Sequence, residues 1–146
     1  MTFTAKDVVE EARTWIGTPN VHQQRTKGVA TDCIGFLHGL YEHFVGPFPR
    51  KRIVNYSPWW AEEGHKEILV SLLDEFLIRR DLLERAPGLI VAFSLTSSTP
   101  IKHVAVLAHR DRMIHTYGRH PIHETTICPW WERRIRRIYA MPDMEG

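Results

Sequence analysis

Cysteine and long apolar runs are both scarce in this sequence. Cys33 and Cys128 are the only cysteines among 146 residues, too few for the several disulfides that hold small secreted domains together. We therefore expect both thiols to be free. The longest apolar runs, such as residues 89–93, fall far short of the roughly 18 apolar residues that cross a bilayer. The sequence thus predicts no transmembrane helix and no membrane partner.

The sequence has neither the pattern of a secretory leader in its first residues nor evident internal repeats. Residues 1–11 intersperse charged and apolar side chains, without the basic and continuous apolar regions of a signal peptide. We therefore expect synthesis in the cytoplasm without a signal peptide. No repeat, linker or low-complexity tract divides the chain, and 146 residues is an ordinary length for one domain. The prediction is a single domain over residues 1–146.

The charge balance gives little support to a nucleic-acid partner. The net charge is only +2, and much of the excess lies in residues 133–137, RRIRR. One short basic run beside two tryptophans is typical of a solvated face, and no nucleic-acid-binding motif accompanies it. The sequence therefore predicts no nucleic-acid partner.

Apolar residues recur at helical spacing through the first half of the chain. Thr4 and Asp7 have the spacing of a capping box, which opens a helix. Residues 20–30 show no periodicity and are predicted to form a surface loop. Three helices are predicted, from Thr4 to Gly17, from Cys33 to Gly46-Pro47, and from His65 to Leu77, with Arg79 and Arg80 near the end of the last.

After Pro87-Gly88 the pattern changes to short runs rich in β-branched residues. Helices followed by consecutive short strands predict an α+β fold, in which N-terminal helices pack on a C-terminal antiparallel sheet. Residues 110–112 are a candidate hairpin turn. The predicted strands are residues 89–95, 101–109, 113–117, 122–126 and 138–141.

Cys33 begins an amphipathic helix, and Thr31 and Asp32 directly before it are candidate N-caps. The first turn of a helix has unpaired backbone N–H groups and the positive end of the helix dipole. A thiolate at this position is stabilised, and the same N–H groups can bind an oxyanion. The sequence therefore predicts that Cys33 is a nucleophile.

Two histidines on consecutive predicted strands are candidates for the remaining catalytic roles. His103 opens an otherwise apolar strand and is the candidate base, and an ion pair with it would lower the thiol pKa. His115 is the candidate third group that orients the imidazole. In a flat hairpin His115 lies opposite a residue near Leu107, so twist or a bulge must shorten the gap to His103. Otherwise His123 is the alternative third group.

The other candidate residues have simpler interpretations. A metal site of Cys33, His103, His115 and Cys128 has suitable ligand types but none of the usual ligand spacings, so no metal is predicted. Cys128 is interpreted as a packed residue. The remaining interpretations are exposed loop or edge-strand positions for His120 and His123, and core anchors for the pairs Trp59-Trp60 and Trp130-Trp131.

Several segments together resemble the NlpC family of bacterial and phage cell-wall peptidases. The similarity extends over nearly the whole chain. Its end resembles the phage-type branch, which includes proteins of phage tails and of gene-transfer particles. The matching segments are residues 12–19 (ARTWIGTP), 32–35 (DCIG), 103–107 (HVAVL), 113–115 (MIH), 130–134 (WWERR) and 138–142 (IYAMP).

This resemblance implies a papain-like fold and hydrolysis of peptidoglycan stem peptides, typically between D-glutamate and a diamino acid, without a cofactor. Cys33 takes the role of nucleophile, His103 of base and His115 of third polar group. Ile34 replaces a common serine, Asn20 a common tyrosine and Leu89 a common aspartate. We expect these differences to affect specificity. The candidate substrate-binding residues are Asn20, His22, Gln23, Asp32 and Ile34.

The resemblance also implies partners and a location. The expected substrate is bacterial peptidoglycan, and the expected protein partners are components of a phage tail or tail-like particle, which would deliver the enzyme to the cell wall. Two alternative functions remain: a structural tail-tip component that keeps the peptidase fold, and a related thiol enzyme that transfers acyl groups or acts as an amidase.

Overall fold

Helices precede a strand-rich half in the computed structural model, which describes residues 2–47, 68–96 and 99–145. None of the helices in this part of the chain has the length and apolar character needed to cross a membrane. The helices are α1 (Ala5–Arg13), α2 (Cys33–Phe44), α3 (Ile68–Phe76) and α4 (Pro129–Glu132), with a short 3-10 helix at Leu82–Glu84.

The strands are β1 (Phe3–Thr4), β2 (Arg25–Thr26), β3 (Ala30–Thr31), β4 (Ile78–Arg80), β5 (Ile90–Ser94), β6 (Ile101–His109), β7 (Arg112–Tyr117), β8 (His120–Thr126), β9 (Ile135–Ala140) and β10 (Met144–Glu145). Six of them form the main sheet, in which neighbouring strands pair antiparallel. Its order is β4-β9-β5-β6-β7-β8, so a run of consecutive hairpins forms one half of the sheet. The predicted α+β class is confirmed.

The first helix begins as predicted but ends early. Thr4 Oγ1 accepts from the Asp7 backbone N–H, and Asp7 Oδ2 accepts from the Thr4 backbone N–H. The capping box is therefore confirmed. The predicted end at Gly17 is wrong, because the helix stops at Arg13. The Gly17 N–H donates to the carbonyl of Ile122 on β8. Residues 14–16 continue in tighter turns, with backbone bonds to the third residue back, and Gly17 is the residue bonded to the sheet.

Three further predictions need correction. The predicted surface loop contains the small hairpin of β2 and β3. Arg79 and Arg80 lie in edge strand β4 rather than at a helix end, because they pair with β9. The last strand starts at Ile135 instead of Ile138. His65, the predicted start of the third helix, lies outside the described residues.

Both faces of the sheet are covered by apolar side chains. Ile90 and Ala92 face a core shared with α1, α2 and α3. Val91 and Phe93 alternate to the opposite face, where they pack in a second core with Trp131. All five residues of β5 are buried, which explains its continuous apolar sequence.

Gly35 allows α2 to lie directly on the chain that precedes it. A Cβ atom at this position would overlap the Gln24 carbonyl oxygen and would lie 2.7 Å from Thr31 Oγ1. The same Gln24 carbonyl accepts the Asp32 backbone N–H. The loop that carries Asn20 and His22 is therefore held against the first turn of α2 by backbone contacts.

We predict that Gly35→Ala lowers the free energy of unfolding by about 1–3 kcal/mol, because the backbone of residue 24 must move away. Urea denaturation measures this change. Ser71→Ala is the matched control, since Ser71 is exposed on α3 and its replacement should leave stability nearly unchanged. Equal stability of the two variants would contradict the close approach.

Candidate active site

Cys33 is the first residue of α2, and its position is fixed by the preceding aspartate. Asp32 is the N-cap: its Oδ1 accepts from the Gly35 N–H at 2.7 Å. Its Oδ2 accepts from the Gln23 N–H, also at 2.7 Å. The carboxylate thus ties the loop to the helix start. Of the two candidate caps, Thr31 and Asp32, the aspartate takes this role.

A β-bulge brings strand β6 to the sulfur. Phe93 pairs with His103, whereas the next residue, Ser94, pairs with Ile101. Lys102 is therefore an extra residue on β6, and its carbonyl oxygen lies 3.9 Å from Cys33 Sγ. Bulges commonly redirect side chains beside active sites. This bulge lies between the nucleophile and the candidate base.

His103 and His115 are joined by a hydrogen bond of 2.9 Å between Nε2 of His103 and Nδ1 of His115. The register between β6 and β7 changes near the hairpin: His109 pairs with Arg112, but Val106 pairs with Ile114. This irregularity is the bulge that the sequence analysis required. It brings His115 within reach of His103.

The bond constrains the proton positions on both rings. If His103 acts as a base through Nδ1, its own proton must lie on Nε2. His103 Nε2–H then donates the hydrogen bond, and the unprotonated Nδ1 of His115 accepts it. Neutral His115 then carries its own proton on Nε2. His103 Nδ1 is the nitrogen left to act on the thiol.

Trp131 supports both imidazoles, a role that the sequence did not reveal. Its ring centroid lies 4.9 Å from that of His103 and 5.4 Å from that of His115. Phe93 packs against the same indole at 4.9 Å. The prediction of a core anchor is correct for Trp131, which is buried, while Trp130 is 39% exposed. Trp59 and Trp60 lie outside the described residues.

Burial disfavours charge on the nucleophile and on its candidate base. Burial, followed by the neighbouring Asp32 carboxylate, raises the pKa of Cys33 to about 12, although nearby backbone N–H groups act in the opposite direction. Burial and His115 hold the pKa of His103 well below its ordinary value of 6.5. Burial therefore opposes the expected ion pair and favours the neutral forms of the thiol and the imidazole.

His115 is also held neutral. Burial, together with His123 and His120, lowers its pKa to about 3. His123 lies opposite His115 in the sheet, with ring centroids 4.8 Å apart. His120 and His123 are on edge strand β8. Of the two predicted positions, exposed loop or edge strand, the edge strand is correct. Between the two candidates for the third group, His115 is the one hydrogen-bonded to His103.

A cavity of about 130 Å³ contains the thiol and the base. Cys33 and His103 both line it. Four of the five predicted substrate-binding residues also line it, whereas Gln23 does not and contributes its backbone N–H to Asp32 instead. The cavity also includes Lys102 and Tyr117, which the sequence did not single out. The four predicted substrate-binding residues that line the cavity are Asn20, His22, Asp32 and Ile34.

Cys128 was expected to be packed, but it is exposed. It precedes Pro129 at the start of α4 and makes no side-chain cap, so nothing in that short helix draws the thiol inward. Both cysteines are free. Within residues 2–47, 68–96 and 99–145, no group of three or more histidine, cysteine or acidic side chains could hold a metal ion.

No protein-family model and no curated protein matches the sequence, but solved structures match its fold. An NLP/P60 family, lipoprotein-like protein from Staphylococcus aureus gives a TM-score of 0.67 at 16% identity, over 97% of this chain and 42% of that chain. An NlpC/P60 family protein from Bacillus cereus gives 0.68 at 18%, over 94% and 40%. The NlpC/p60 domain of the peptidoglycan hydrolase SagA gives 0.63 at 17%, over 94% and 99%.

These similarities confirm the predicted NlpC-type fold. The chain spans about two fifths of the length of the first two structures and nearly all of the SagA domain. Since the identities are 16–18%, the similarity establishes the fold alone. The roles of the individual site residues remain predictions.

We predict that the free energy of unfolding falls as the pH drops below 6.5. The unfolded histidines take up protons there, whereas folded His103 and His115 resist protonation, so acid favours the unfolded state. The loss should continue toward pH 3, the approximate pKa of His115. Urea denaturation at a series of pH values measures this slope.

His115→Asn should make the slope shallower, because it removes one of the two buried imidazoles. His109→Asn is the control, since His109 is exposed at the end of β6. A slope that is unchanged by His115→Asn, or that is altered equally by both substitutions, would contradict the neutral buried state of His115.

Proposed function

We propose that this protein is a cysteine peptidase that hydrolyses the stem peptides of bacterial peptidoglycan. The observation that carries this proposal is that Cys33 and His103 line one cavity while His103 is hydrogen-bonded to His115. The NlpC/P60 fold supports it, because one structural neighbour with this fold is a peptidoglycan hydrolase. The same three residues are the ones that match the family's motifs in the sequence.

The reaction begins with a neutral thiol. As Cys33 Sγ attacks the peptide carbonyl, its proton passes to Nδ1 of His103, and the carbonyl electrons move onto oxygen. Backbone N–H groups at the start of α2 are placed to stabilise this oxyanion. The imidazolium then protonates the departing amine. This step leaves a thioester on Cys33 and returns His103 to its neutral form.

Water completes the turnover. Neutral His103 removes a proton from water as the water oxygen attacks the thioester. The second tetrahedral intermediate then breaks its C–S bond and releases the carboxylic acid, while the imidazolium returns the proton to the sulfur. His115 keeps its hydrogen bond to His103 throughout both steps. Its acceptor nitrogen fixes the orientation of the base and stabilises the transient imidazolium.

The polar lining of the cavity suits a stem peptide. Lys102 and His22 lie on its wall together with Asp32. A bond between D-glutamate and a diamino acid places carboxylates and an amine close to the reacting carbonyl, which Lys102 and Asp32 complement in charge. Ile34 adds an apolar contact where related sequences often have a serine hydroxyl. We infer this bond as the cleaved one.

The proposed setting is a phage tail or a related particle. Residues 130–134 and 138–142 resemble the phage-type branch of the family, and incorporation into such a particle would carry the protein to the cell wall. Other tail components would then be its protein partners, and peptidoglycan its substrate.

The test is digestion of purified peptidoglycan, with the released fragments identified by mass spectrometry. The protein should release stem-peptide fragments with new termini at the D-glutamyl bond. Cys33→Ala should reduce the rate by a factor of about 10³ or more, because the nucleophile is lost.

Cys128→Ala is the matched control, since it removes the other, exposed thiol and should retain activity. Release of the same fragments at the same rate by the wild-type protein and by Cys33→Ala would refute thiol catalysis. Fragments joined through a new amide or ester would instead identify an acyltransferase.

A further inference from the structure

A second cavity, of about 430 Å³, lies beside the candidate active site. Tyr117 lines both cavities, and His115 lines the second one while it is hydrogen-bonded to His103. The second cavity has aromatic walls from Trp130 and Trp131. The proposed chemistry makes no use of this space.

Trp130 is a rigid and accessible platform in this cavity. It is 39% exposed, yet the guanidinium of Arg134 covers one side of it, 3.6 Å from the ring centre. Arg134 is itself fixed by bonds to the carbonyls of Leu95 at 3.0 Å and Trp130 at 2.7 Å. Trp131 packs edge-on against the same ring, with centroids 4.8 Å apart. The indole is therefore held in place before any ligand arrives.

The cavity also presents hydrogen-bonding side chains. They include the hydroxyls of Thr125 and Thr126 and the imidazoles of His120 and His123, with Cys128 beside them, and no carboxylate, lysine or arginine is among the described residues that line it. Aromatic walls with a few convergent hydrogen-bonding groups are typical of sites for small neutral ligands. A sugar ring combines the apolar face and the hydroxyl and amide groups that such a lining can bind.

We propose that the second cavity binds an N-acetylated sugar of the glycan strand, with its ring against Trp130. This inference rests on the proposed function, because the stem peptide is attached to that sugar. The two cavities share a wall at Tyr117, so one substrate that occupied both would place its sugar beside the reacting peptide.

The first test compares two substrates: a disaccharide that carries the stem peptide, and the same peptide without sugar. Trp130→Ala should lower kcat/KM for the sugar-bearing substrate about tenfold, the scale of one lost aromatic contact. Its kcat/KM for the free peptide should stay within about twofold. Trp130→Phe should retain most of the wild-type kcat/KM for the sugar-bearing substrate, because it keeps an aromatic ring.

The second test does not need catalysis. The peptidoglycan disaccharide is titrated into Cys33→Ala, and the indole N–H signal of Trp130 is followed by NMR. We expect a saturable shift that is absent for maltose, a sugar without acetamido groups. No shift with the disaccharide, or equal losses on both substrates in the first test, would overturn the sugar site. If the wild-type protein cleaves neither substrate while the shift is present, the proposed function fails and the sugar site stands.

Discussion

The hydrogen bond between His103 and His115 is the constraint on which the candidate site depends. It links strands β6 and β7 through Nε2 of His103 and Nδ1 of His115, which are 2.9 Å apart. The irregular register of the hairpin brings the two rings to this distance. Trp131 packs on both rings. Since the bond fixes which nitrogen of His103 is free, the sheet, the bulge and the indole together determine the chemistry available to Cys33.

The site combines this geometry with an environment that opposes charge. Burial raises the pKa of Cys33 and lowers the pKa of both histidines. A buried ion pair would have to overcome that desolvation cost. In the proposed chemistry, charge therefore separates only as the thiol attacks a carbonyl, when helix N–H groups and His115 stabilise it.

Local patterns in the sequence predicted the parts of the structure that depend on neighbours in the chain. The capping box of Thr4 and Asp7 and the helix that starts at Cys33 need only adjacent residues, and strand β6 follows from its β-branched run. Contacts between distant segments were not predictable. Beyond the early end of α1, Gly17 is bonded to distant strand β8, and strand β4 forms because β9 is beside it.

The same distinction holds for the site. Cys33, His103 and His115 could be selected by residue type, position and family resemblance, and the structure brings the two histidines into contact. Lys102 as a bulge and Trp131 as the support for both imidazoles depend on how three strands and α4 pack. Their residue types alone indicate neither role, so the sequence left them unassigned. The neutral resting state likewise follows from burial, which only the fold determines.

The most direct test of this account is the protonation state of His103 and His115 at pH 7, measured from the 15N chemical shifts of their imidazole rings, with His103→Gln and His115→Asn used for assignment. The account predicts two neutral rings, with the proton of His103 on Nε2 and with Nδ1 of His115 unprotonated. A doubly protonated His103 would contradict it, because the thiol and the base would then already exist as an ion pair before substrate binds.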